Sequence, residues 1–198
     1  MKEGDVVLIL GSSSVLLMHT AISNPIQGFW GPYKEPLIAG LNLIEGGQTS
    51  SGSIIRWFVE KIARHYSWEG QQKGLSPFEI LDLEASKVAP GAGGVVVLDH
   101  WQGNRTPYKD PSSRGLIWGL TLYHDAPHLG RAIYEGISFG VRLLLDRLKE
   151  ERVKFGDIKV CGGGTKSRLW LQILADVAER PLKVTSENMT LLGNAVLA

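Results

Sequence analysis

The sequence predicts an α/β domain, and three observations predict it. Short apolar runs alternate with amphipathic helical patterns along the 198 residues. The apolar run from Ile158 to Cys161 stops at Gly162, Gly163 and Gly164 and gives way to a helical repeat of Leu169, Ile173, Leu174 and Val177. That is strand, glycine turn, helix. The composition, 43% hydrophobic and 21% charged, is that of a globular chain able to bury a sizeable core.

In chain order, residues 6–10 and 15–19 are apolar runs separated by Gly11, Ser12, Ser13 and Ser14, which predicts a strand–turn–strand hairpin. Residues 23–39, with Pro25, Gly28, Pro32 and Pro36 among aromatics, read as an irregular packed loop. Residues 41–44 read as a strand. Residues 53–66 carry Ile54, Ile55, Phe58, Val59 and Ile62 on one helical face and Arg56, Glu60, Lys61 and Arg64 on the other. Residues 67–74 read as a polar connector. Ser76, Pro77 and Glu79 predict a capping box opening a helix to about residue 88. A turn at 90–94 leads to a buried strand at 95–98, a loop at 100–113 and an apolar stretch with turn-like glycines at 115–122. A long helix over 128–152 places Ile133, Ile137, Val141, Leu144, Leu145 and Leu148 on one stripe. A strand at 158–161, a helix at 169–178, a strand at 182–184 and a helix from about residue 190 complete a single domain over 1–198. No repeat, linker or low-complexity tract divides it.

Charge and cysteine count narrow the function. A net charge of +1 gives no electrostatic case for nucleic acid or an anionic membrane as partner. No window is long enough to span a bilayer. Glu3, Asp5 and the Gly-Ser turn interrupt what would otherwise resemble a leader, so no signal peptide is read. The single Cys161 falls in a core strand and suits a reducing, cytoplasmic setting. The five histidines show no metal-ligand spacing, and His128, at a helix start, reads as structural. The glycine turn before residue 169 has two readings from residues alone. It is either a plain structural turn or a place where backbone without Cβ lies against a nucleotide beside a helix start.

Several segments together resemble one family. Gly115-Leu116-Ile117-Trp118-Gly119-Leu120, then seven residues, then His128-Leu129-Gly130-Arg131-Ala132-Ile133-Tyr134-Glu135 fits position by position the C-terminal signature of the FGGY carbohydrate kinases, and the segments Gly28-Phe29-Trp30-Gly31-Pro32-Tyr33 and Glu45-Gly46-Gly47-Gln48-Thr49 most resemble their ribulokinase and xylulokinase members. Gly162-Gly163-Gly164 with Ser167 is similar to their adenosine segment. Gly11-Ser12-Ser13 resembles their phosphate hairpin, and Glu45-Gly46 with Gly52, Arg56 and Trp57 a further nucleotide-lining segment. Leu192-Gly193-Asn194-Ala195 resembles their closing helix.

The resemblance implies an actin-like ATPase domain of the ribonuclease-H-like type, a mixed sheet flanked by helices. It implies ATP and Mg2+ as cofactors, with Gly11, Ser12, Ser13, Gly52, Arg56, Gly163, Gly164 and Ser167 at the nucleotide. Ser167 would also cap the helix that follows. The implied partners are ATP or ADP, a pentulose or polyol held through an N-terminal domain absent from this chain, and a second copy in a homo-oligomer. The segment 101–107 is similar to one that precedes the signature, and reads either as lying on the sugar side of the cleft or against a neighbouring subunit, or as a packed loop. The family's catalytic aspartate lies just before the phosphate hairpin. Asp5 is too close to Gly11 to be that residue, so no catalytic residue is expected here and the chain reads as an inactive fragment. The rival expectation is a non-catalytic nucleotide-binding or interaction module of the same fold.

Overall fold

The computed structural model describes residues 2–185. Strands β1 (Val6–Leu10) and β2 (Ser14–Thr20) form the expected hairpin, closed by the pair Leu10 and Ser14. β3 (Trp30–Ile38) and β4 (Leu41–Gln48) extend it antiparallel. Helix α1 (Gly52–Trp57) runs into a π-helical turn (Phe58–Ile62), followed by α2 (His65–Lys73) and α3 (Pro77–Ala85). Then come β5 (Val96–Leu98), β6 (Leu116–Trp118), the long α4 (Ala126–Glu150), β7 (Ile158–Cys161), α5 (Arg168–Ala178) and β8 (Leu182–Val184). Six strands make one sheet in the order β3-β4-β2-β1-β7-β8, while β5 and β6 pair separately. β1 pairs parallel with β7, and β7 with β8, so the sheet is mixed.

Alternation decides which face is covered. Val6, Leu8 and Leu10 of β1 and Leu16 and Met18 of β2 are all essentially inaccessible. Ile133, Ile137, Val141, Leu144 and Leu148 of α4, spaced three and four apart, join them in one core. Burial of each such side chain contributes about 1.5–3 kcal/mol relative to exposure. α4 opens with Asp125 accepting from the His128 backbone N–H while the His128 side chain reaches back, which gives His128 the structural role expected of it. The Ser76–Glu79 capping box of α3 is also present.

Several expectations need correction. Residues 30–38 are a strand, not part of a loop. β3 is the edge of the sheet, where Pro32 and Pro36 cost no inner ladder bond and the register with β4 shifts. Residues 67–73, expected as a connector, belong to helix α2. α2 is held by buried Tyr66 and Gly70 and ends at Gly74 in the left-handed region. The single helix expected over 53–66 is broken by the π-helical turn, and Ile62 is half exposed. β5 is not a buried strand, because only Val97 points inward while Val96 and Leu98 face outward. The expected helix near residue 190 and the Leu192-Gly193-Asn194-Ala195 segment lie outside the described residues. Among the described residues no helix is long and apolar enough to cross a membrane.

Candidate functional site

The tip of the β1–β2 hairpin is fixed by α1. Ser12 carbonyl oxygen accepts from Ser51 N–H (2.9 Å) and Ser53 N–H (3.0 Å), and Gly11 carbonyl oxygen accepts from Gly52 N–H (3.1 Å). A Cβ on Gly52 would stand 2.4 Å from Gly11 carbonyl oxygen, so only glycine permits this docking. The first amides of α1 are therefore spent on the hairpin, which becomes one rigid unit with the helix.

Across the sheet, β7 ends in a glycine turn. Gly162 takes a left-handed φ of 95°, and a Cβ there would strike Leu10 carbonyl oxygen at 2.5 Å. Ser167 accepts from Trp170 N–H (3.0 Å) and caps α5, as the sequence predicts. Its hydroxyl also donates to Asp82 Oδ1 (2.9 Å), which receives Tyr134 Oη–H as well (2.5 Å). Burial raises the Asp82 carboxyl above the ordinary carboxylate range, against those two hydrogen bonds. Burial likewise drives the Tyr134 hydroxyl well above its usual value, so it stays a donor. Tyr134 stacks on Trp170, ring centres 5.9 Å apart.

Hairpin, α1, α3 and glycine turn enclose a cavity of about 720 Å³, within the size range of small-molecule sites. Of the residues singled out from sequence, Gly11, Ser12, Gly52, Arg56, Gly163, Gly164 and Ser167 line it. Ser13 does not: its carbonyl closes the hairpin by accepting from Gly11 N–H. Glu45, Gly46 and Trp57 also lie elsewhere. Glu45 pairs with Arg105, Gly46 packs on Phe29 and Thr106, and Trp57 meets Trp101 edge-on. The segment 101–107 thus docks on β3 and β4, with Arg105 and Lys109 over the Trp30 ring.

The two glycines of the turn play different parts. A Cβ on Gly164 would lie 2.5 Å from the Trp170 ring and 2.7 Å from Leu10 Cβ, so this glycine serves packing. A Cβ on Gly163 would meet nothing within 4 Å, so this glycine keeps the cavity open.

Sequence reasoning missed Asp82, Phe78 and Ile55 as lining residues and treated Tyr134 only as one letter of the signature. Nothing local marks them, although a polar residue inside the apolar α3 pattern is a signal for Asp82. Two lining residues carry buried polar atoms without a partner among the described residues, Ser53 Oγ and Trp170 Nε1. Among the described residues no three metal-ligating side chains gather.

Comparison with known proteins identifies the family. Over residues 6–198 the chain matches the family description "FGGY family of carbohydrate kinases, C-terminal domain". A ribulokinase of Anoxybacillus flavithermus is 32% identical over 200 residues, covering 100% of this chain and 36% of the relative. One from Halalkalibacterium halodurans is 32% identical, covering 98% of this chain and 35% of the relative. Xylulose kinase of Rhodospirillum rubrum superposes with a TM-score of 0.84 at 27% identity, over 96% of this chain and 36% of that one. Plasmodium falciparum glycerol kinase with ADP shares the fold at a TM-score of 0.77 and 23% identity, over 100% of this chain and 38% of that one.

The fold is thus that of the actin-like ATPases. The chain belongs to the FGGY family of carbohydrate kinases, a family of ATP-dependent enzymes, and corresponds to their C-terminal domain. It spans about a third of the length of the curated relatives it matches (36% and 35%).

Proposed function

We propose that this chain is the ATP-binding half of a kinase that transfers the γ-phosphoryl group to a hydroxyl of a pentulose or polyol. The observation that carries the reading is convergence. In a chain of this family, the hairpin at Gly11 and Ser12 and the open turn at Gly163 face one cavity of about 720 Å³. The nucleotide would lie with its phosphates toward the hairpin, where Arg56 adds positive charge, and its nucleoside against the glycine turn and Phe78. Phosphoryl transfer depends on such positioning and on charge neutralisation more than on covalent chemistry. Magnesium would enter on the phosphates as part of the MgATP substrate. The ribulokinase relatives favour a pentulose.

The general base and most sugar contacts would come from a separate N-terminal domain. In this reading Asp5 is not the base. It precedes the five-residue β1, whose far end carries the hairpin, so roughly 17 Å of strand separates them. It is also committed to Lys159 Nζ (2.6 Å), which holds its carboxyl below the ordinary range. The test is ADP release by the chain alone with a panel of pentuloses and polyols. The expected result is no sugar-dependent turnover. Turnover well above background would overturn the division of labour between the two halves.

A further inference from the structure

Two carboxylates line the cavity, and Asp82, the less exposed of them, keeps one oxygen without a partner among the described residues. Asp82 Oδ1 accepts from both Tyr134 Oη–H and Ser167 Oγ–H. Oδ2 takes part in no hydrogen bond among the described residues, yet it is not among the buried atoms that lack a partner, so it is accessible on a side chain that lines the cavity. The neighbouring Glu79 also lines the cavity and also leaves one oxygen, Oε1, without a donor, but it is exposed where Asp82 is half-buried. Its Oε2 receives both the Ser76 N–H (2.8 Å) and the Ser76 hydroxyl (2.7 Å) in the capping box. Asp82 is therefore held in place at Oδ1 by two hydroxyls, which leave Oδ2 free to accept.

Like charge forbids placing phosphate beside this carboxylate, so Asp82 must face the uncharged end of a bound nucleotide. That end is bordered by Phe78, a flat apolar surface for a purine. Resting on the nucleotide reading above, we infer that Asp82 is the residue that selects the base: Oδ2 accepts a hydrogen bond from the exocyclic 6-amino group of adenine and excludes 6-oxo purines. A 6-oxo group is an acceptor. It would set its lone pairs against Oδ2 and leave that oxygen and its own without a donor.

Isothermal titration of the chain with ADP, inosine diphosphate and 2′-deoxy-ADP tests this. ADP is expected to bind about ten- to a hundredfold more tightly than inosine diphosphate, the worth of one hydrogen bond to a charged acceptor. 2′-Deoxy-ADP is expected within about threefold of ADP. Asp82→Asn supplies an amide able to donate to the 6-oxo group. It should bring the two diphosphates within about threefold of each other, with the fold verified by circular dichroism. Equal affinity of the unaltered chain for ADP and inosine diphosphate overturns the inference without any variant. So does an unchanged preference in folded Asp82→Asn, or a loss with 2′-deoxy-ADP as large as that with inosine diphosphate, which would put the carboxylate at the ribose. If the unaltered chain binds no ADP, the nucleotide reading itself fails and this inference falls with it. If ADP binds but without base preference, only the inference fails.

Discussion

Two adjacent glycines should respond in opposite ways to the same substitution. At Gly164 an added Cβ would lie 2.5 Å from one Trp170 ring carbon, 3.1 Å from another and 2.7 Å from Leu10 Cβ. Trp170 and Leu10 are both core residues, 2% and 0% exposed, so neither can give way cheaply. Overpacking of this kind costs about 1–3 kcal/mol. For a domain of this size each kcal/mol lowers Tm by roughly 2–4 °C, so Gly164→Ala should melt roughly 2–12 °C below the parent. Gly163→Ala meets no atom within 4 Å and needs no left-handed φ. It should melt within about 2 °C of the parent or slightly above, because the unfolded chain loses freedom. Gly163→Val should fill cavity space and weaken ADP binding by about tenfold or more while the fold is kept. Differential scanning calorimetry and titration with ADP on the three variants decide the matter. A Gly163→Val protein that binds ADP as the parent does would refute the assignment of that glycine to the ligand. A Gly164→Ala protein as stable as the parent would refute its packing role.

Other expectations follow from the same geometry. Arg131 and Glu135 form a buried ion pair (2.7 Å), and Glu135 also accepts from Gly91 N–H. Glu135→Ala strands the guanidinium and should cost about 3–5 kcal/mol by calorimetry, much of it recovered when Arg131 is replaced by Met in the same chain. Burial raises the Asp99 carboxyl above its ordinary range despite the hydrogen bond from Gln48 Nε2 (2.6 Å). The folded state then keeps a proton that the unfolded state has already lost. Stability from this group is greatest below the ordinary carboxylate range and falls as pH rises through the raised value, so Asp99→Asn should flatten that slope in melts taken from about pH 4 to 7. In the complete kinase, Ser12→Ala should lower kcat more than it raises KM for ATP. The expected loss is near the lower end of about 2–4 kcal/mol, since backbone donors at the turn survive. An unchanged kcat would make the hydroxyl a turn-former only.

What was legible in the sequence was local. The hairpin at Gly11, the capping box at Ser76 and Glu79, the cap at Ser167 and the stripe of α4 are each specified within a few residues, and each is present. β3 was hidden because Pro32 and Pro36 erase the period of two, and it is tolerated only because the strand lies at the sheet edge. α2 was hidden because its sequence, HYSWEGQQK, offers no apolar stripe. Tyr66 and Gly70 hold it through tertiary contact instead. The candidate site divides the same way. Its glycines were visible as turns, but which of them packs and which opens the cavity depends on Trp170 and Leu10 folding over Gly164 and not over Gly163. Asp82 became visible only when α3 was laid beside Ser167 and Tyr134, from segments 85 and 52 residues away.

The central claim is that the nucleotide lies between the hairpin and the glycine turn. Heteronuclear NMR of the isotopically labelled chain, titrated with ADP, tests it most directly. The backbone amide signals of Gly11, Ser12, Gly163 and Gly164 should shift together and saturably. Those of Gly91, Val96 and Phe139, which line a separate apolar cavity of about 230 Å³, should stay in place. Shifts confined to the second cavity, or saturable binding that leaves Gly163 and Ser12 unmoved, would contradict the account.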